Sequence, residues 1–120
     1  MRKIILLLVL CIGFYGAKAA PAITIVNNTA CDITFTVFAY DPILCTITSS
    51  GTPTNLPAGK STTVGGYGVE FYFTSCPPPA PVIYTAFGTS CFPPTVPMPN
   101  CGPCVGSTVT WNSAHMVTIN

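Results

Sequence analysis

The chain's dominant pattern is the alternation of apolar and polar positions, the two-residue period of extended backbone. Residues 23–27 alternate up to the turn-forming pair Asn28-Thr29. Residues 32–40 do so for longer, with Ile33, Phe35, Val37 and Ala39 on one face and Thr34 and Thr36 on the other. Threonine's branched carbon favours extended backbone while its hydroxyl can meet water, so the pattern predicts a half-buried antiparallel sheet with one wet face. Turn signals follow at Asp41-Pro42, Ser50-Gly51-Thr52-Pro53, Pro57-Ala58-Gly59 and Gly65-Gly66. They leave room only for short strands, expected at 44–48, 60–64, 68–74, 82–87, 106–111 and 115–119. No window carries helical apolar spacing with caps. The expected fold is therefore all-β, a small antiparallel β-sandwich or jelly-roll relative.

Residues 1–19 do not fit that pattern. Arg2 and Lys3 precede an unbroken apolar run from Ile4 through Ile12, and Ala17-Lys18-Ala19 follows. This is the layout of a cleaved secretory signal, with the cut expected after Ala19 and one domain over residues 20–120. The run is shorter than the roughly 18 to 20 residues a spanning helix needs, so no transmembrane segment is expected after cleavage. Cys11 invites a lipoprotein reading, but Leu10 stands before it where such signals have a small residue. The expected location is secreted, periplasmic or at the cell surface.

Losing the leader changes the charge. Lys60 alone then opposes Asp32, Asp41 and Glu70, a formal −2. One lysine and no arginine cannot grip a phosphate backbone, which excludes nucleic acid as a partner.

Six cysteines remain, namely Cys31, Cys45, Cys76, Cys91, Cys101 and Cys104. Export and an even count predict a disulfide framework, with 15 pairings open. Four of the six lie in residues 76–104, which also carry Pro77, Pro78, Pro79, Pro81, Pro93, Pro94, Pro97, Pro99 and Pro103. Proline lacks the donor that a central strand needs. This span is expected to be an irregular loop region pinned by disulfides, with display to a partner, as in an inhibitor or effector, the alternative.

Cys101-Gly102-Pro103-Cys104 matches the exchange motif of thioredoxin-type enzymes, whose first thiolate is stabilised at a helix N-terminus. Here Gly106-Ser107-Thr108-Val109-Thr110 follows, which is strand chemistry. No second C-x-x-C completes a zinc site, so neither metal nor cofactor is expected. An exported hydrolase would have to draw on Asp32, Asp41, Glu70 and His115, yet two of these acids look like turn formers and no G-x-S-x-G elbow is present. Aromatic residues are the better lead. Tyr72 lies opposite Tyr67, Phe71 and Phe73 on its strand and shares a face with Glu70; with Tyr84 and Trp111 it is the candidate binding surface. Asn27-Asn28-Thr29 is a glycosylation sequon in a host with that machinery.

Two stretches resemble the opening of thaumatin-like proteins: residues 23–28 leading into the strand 33–39, and Leu56-Pro57-Ala58-Gly59-Lys60-Ser61-Thr62-Thr63-Val64. The resemblance implies a β-sandwich. That family's acidic cleft has no matching positions here, so no carbohydrate-cleaving or antifungal role is implied. The chain is also similar to small secreted Cys-rich proteins of bacterial envelopes, a likeness that implies no particular role. The function expected is a non-enzymatic binding or structural module that meets a protein or glycan at the cell surface.

Overall fold

The computed structural model describes residues 20–73, 76–101 and 104–120. The leader expected over residues 1–19, Cys11 included, lies outside them, as do Gly102 and Pro103. Ten strands and no helix occur among the described residues, and none of those residues forms a helix long and apolar enough to cross a membrane. The strands are β1 (Ala22–Asn27), β2 (Ile33–Tyr40), β3 (Ile47–Ser50), β4 (Thr54–Leu56), β5 (Ser61–Gly65), β6 (Gly68–Tyr72), β7 (Val82–Ala86), β8 (Thr95–Pro97), β9 (Thr108–Ser113) and β10 (Met116–Ile119).

The first sheet has the order β5-β1-β10-β9-β8. The second runs β3-β2-β6-β7, with β4 pairing along the same strand β2. All pairings are antiparallel except one, where β1 and β10 run parallel with Ile25 beside Val117. The all-β, largely antiparallel expectation holds, and in the one exception two strands far apart in the chain meet at the centre of the first sheet.

The alternation read from the sequence decides which side chains face the core. Ile23 and Ile25 from β1, Val109 and Trp111 from β9, and Val117 and Ile119 from β10 join Ile33, Phe35, Val69 and Phe71 of the second sheet in a single buried cluster. Burying such side chains contributes roughly 1.5 to 3 kcal/mol each before entropy is counted.

Two strands lie where none was expected. Residues 50–53 read as a turn, but Gly51 donates its amide to Val37 O at 2.8 Å and the chain stays beside β2. There β4 pairs with its first half, Ile33 facing Leu56. In the proline-rich span β8 pairs with β9, and Pro97 is accommodated because β8 is an edge strand. The span 76–104 thus holds β8 as well as β7, the strand expected at 82–87.

All six cysteines of residues 20–120 are cross-linked. Cys31 pairs with Cys104, Cys45 with Cys91, and Cys76 with Cys101. The two cysteines of the thioredoxin-like motif therefore take different partners. The first of these bridges is nested around the other two, tying the β1–β2 turn to the turn before β9.

Asn27, fully buried, organises the same corner. Its amide nitrogen donates to Cys31 O at 2.8 Å and to Leu56 O and Pro57 O, each at 3.2 Å. Its oxygen accepts from the Thr29 amide at 3.0 Å and from Thr29 Oγ1 at 2.6 Å. The sequon asparagine is therefore committed inside the fold and inaccessible to a glycosyl carrier. Asn27→Asp would set an acceptor against three carbonyls, and a loss of about 3 kcal/mol is expected in equilibrium urea unfolding.

Candidate functional site

The outward face of the second sheet is built by the parity opposite to its core residues. On β2 that parity holds Thr34, Thr36, Phe38 and Tyr40; on β6 it holds Gly68, Glu70 and Tyr72; on β7, Val82, Tyr84 and Ala86. Register brings these into rows: Thr36 beside Glu70 beside Tyr84, and Phe38 beside Gly68 beside Ala86. This face was expected to be wet. Instead Phe38 is 2% exposed, Thr36 1% and Glu70 6%.

The cover comes from the β7–β8 connection. Phe92 packs its ring 5.1 Å from those of Phe38 and Tyr40 and 6.2 Å from that of Tyr84, mostly edge-on. Its neighbour Cys91 is bonded to Cys45 in the β2–β3 turn, which holds Phe92 above the sheet. Gly68 leaves space for Phe38: a Cβ there would stand 2.4 Å from the Phe38 ring. This aromatic cluster was missed from sequence, although Phe38 and Tyr40 sit at the parity of Thr34 and Thr36.

Glu70 lies beside this cluster. The phenols of Tyr72, its neighbour two positions along the strand, and of Tyr84, its cross-strand partner, lie within hydrogen-bonding reach of its carboxylate. Burial, the hydrogen bond and the carboxylate's charge push the Tyr72 phenol above its ordinary range. For Tyr84 burial again leads, followed by the charge of Glu70 and the hydrogen bond. Both rings remain partly exposed. Lys60, the sole Lys or Arg of residues 20–120, is exposed in the turn before β5 of the other sheet. Thr36 Oγ1, across the strand pair from Glu70, is buried and makes no hydrogen bond.

The other candidates disperse. Trp111, expected as a surface ring, is 6% exposed and belongs to the core. Its indole Nε1 donates to Thr85 Oγ1 at 3.0 Å, and that hydroxyl donates to Val69 O at 3.3 Å, stitching the first sheet to the second. Strand parity cannot reveal this, because it does not say which face is covered.

Asp32 accepts from the Ala58 amide at 3.0 Å. Asp41 caps the β2–β3 turn, accepting from the amides of Leu44 at 2.9 Å and Ile43 at 2.8 Å, and those bonds hold its carboxyl below the usual range. The two aspartates flank β2, about 30 Å of extended chain apart, against the roughly 5 to 10 Å that paired-acid hydrolysis needs. His115 is exposed in the β9–β10 turn, not in the last strand, with Nδ1 3.0 Å from Ala22 O. The structure thus does not bring Asp32, Asp41, Glu70 and His115 together. No cluster of three His, Cys, Asp or Glu suited to a metal ion occurs among the described residues. A cleft of about 360 Å³ lies elsewhere, along Val37, Ala39, Ser49, Gly66 and Tyr67, and carries no ionisable group besides the Tyr67 phenol.

Comparison of the chain with protein-family models, with curated proteins and with solved structures finds no match.

The raised phenols set an alkaline limit. Because the folded state holds the Tyr72 and Tyr84 protons more tightly than the unfolded chain, their contribution to stability is complete below about pH 10 and is lost as pH rises through the folded values. Ultraviolet titration is expected to show two phenols ionising late. Glu70→Gln should move both midpoints downward, towards but not reaching the ordinary value, because burial remains; unmoved midpoints would remove Glu70 from the network.

Proposed function

We propose that residues 20–120 form an exported, non-enzymatic binding module that uses the Glu70, Tyr72 and Tyr84 face to engage a protein or glycan at the cell surface. The shown framework, a small all-β domain with three disulfides, fits an oxidising extracellular environment. The observation that carries the reading is a carboxylate in the middle of a sheet, beside two partly exposed phenols, while Lys60, the one Lys or Arg of residues 20–120, lies by the other sheet. Burying such a group costs stability, and a hydrocarbon side chain would pack there at less cost. A polar group kept at that cost on a rigid strand suits recognition better than packing. Tyrosine, with an apolar ring and a polar tip, is a frequent anchor of contact surfaces.

The test presents the oxidised protein to a glycan array and to cross-linking capture at the native cell surface, with Tyr72→Ala and Tyr84→Ala as comparators. Each variant is expected to weaken the captured interaction at least about tenfold. Equal binding by wild type and both variants would remove this face from the function.

A further inference from the structure

Resting on that reading, we infer that the face recognises a cationic group, the ammonium or guanidinium of a partner protein's lysine or arginine, with Glu70 as the countercharge. Of the three carboxylates in residues 20–120, Asp32 and Asp41 are spent on turn amides. Glu70 alone is held away from turns, in a strand with neighbours on both sides, buried and with the Tyr72 and Tyr84 phenols nearby. An ionised carboxylate offers about four acceptor sites, so two phenols leave capacity for a further donor. Lys60, the one lysine or arginine of residues 20–120, does not supply it, since it sits in the turn before a strand of the other sheet.

A second observation points to the same place. Thr36 Oγ1 stands across the strand pair from Glu70, 1% exposed as a residue and without a hydrogen-bond partner, while most buried hydroxyls find one. An ammonium carries three donors and a guanidinium five, so a cation held by the Glu70 carboxylate keeps donors for a nearby hydroxyl. Tyr72 stands along the strand from the carboxylate and Tyr84 across the strand pair, and a cation held close to such rings gains from the π quadrupole. A neutral sugar would also find hydroxyl partners here, but it would leave the charge uncompensated. With a formal −2 over residues 20–120, a basic partner is also favoured at long range.

The experiment is an NMR amide-shift titration of the oxidised, leader-free protein with Nα-acetyl-lysine methylamide and Nα-acetyl-arginine methylamide. The neutral isostere Nα-acetyl-norleucine methylamide and methyl glucoside serve as controls. Expected are shifts centred on Glu70, Tyr72, Tyr84 and Thr36 with both cations, with Kd on the order of millimolar for such small probes. Glu70→Gln, nearly isosteric and checked for an unchanged amide spectrum elsewhere, should weaken both at least about tenfold; Thr36→Val should weaken them less. Equal response to norleucine, or cation binding indifferent to Glu70→Gln, overturns the inference. Response to methyl glucoside alone, lost in Tyr72→Ala, overturns it while leaving the binding-face proposal standing. Silence from all four probes also overturns it, and the capture experiment then decides the wider proposal separately.

Discussion

The structure depends on three cross-links placed at the ends of strands. Cys31–Cys104, Cys45–Cys91 and Cys76–Cys101 span 73, 46 and 25 positions of chain. Closing loops of such lengths restricts the unfolded chain by about 3 to 4 kcal/mol each in the chain-entropy account, against a net stability of about 5 to 15 kcal/mol for a domain this size. The apolar cluster shared by the two sheets supplies the rest. Where β1 turns into β2, covalent bond and hydrogen bonds act at one corner: Cys31 is bridged to Cys104 while Asn27 holds the Cys31, Leu56 and Pro57 carbonyls.

The same constraint creates the candidate site. Without the Cys45–Cys91 bridge, Phe92 would lie on a proline-flanked connection with little to fix it. With the bridge, its ring closes over Phe38, Tyr40 and Tyr84 and dries one part of a face that would otherwise meet water. Glu70 and Thr36 lie beside that dry patch, while Tyr72 and Tyr84 stay partly open to solvent. Chemistry that is unremarkable in water becomes selective there: a carboxylate beside low-dielectric walls discriminates more strongly between charged and neutral visitors than one fully hydrated.

Local periodicity made much of the fold legible. The alternation over residues 32–40 set Ile33 and Phe35 on one face, and both are buried in the core, because a strand's two faces are fixed by parity alone. Parity does not tell which strands become neighbours, so the parallel pairing of β1 with β10 had no local signal, and the choice among cysteine pairings had none either. Residues 50–53 look like a turn because Gly51 and Pro53 are turn formers, yet the connection from β3 to β4 stays beside β2, where Gly51 bonds to Val37 O. The site was half legible. Glu70 and Tyr72 share a face by simple counting, and Tyr84 joins them across the strand pair. Trp111 and Asn27 misled for one reason: an indole or an amide looks exposed and available in a sequence until its hydrogen-bond partners, Thr85 for one and three carbonyls for the other, are brought in by tertiary structure.

The most direct measurement is equilibrium urea unfolding of residues 20–120, followed by the emission of the buried Trp111, with the disulfides intact and after full reduction. If the cross-links hold the fold and its covered face, reduction should cost at least about 3 kcal/mol and lower the midpoint steeply, or abolish the cooperative transition. A reduced protein that unfolds at the same midpoint with the same slope would contradict the account.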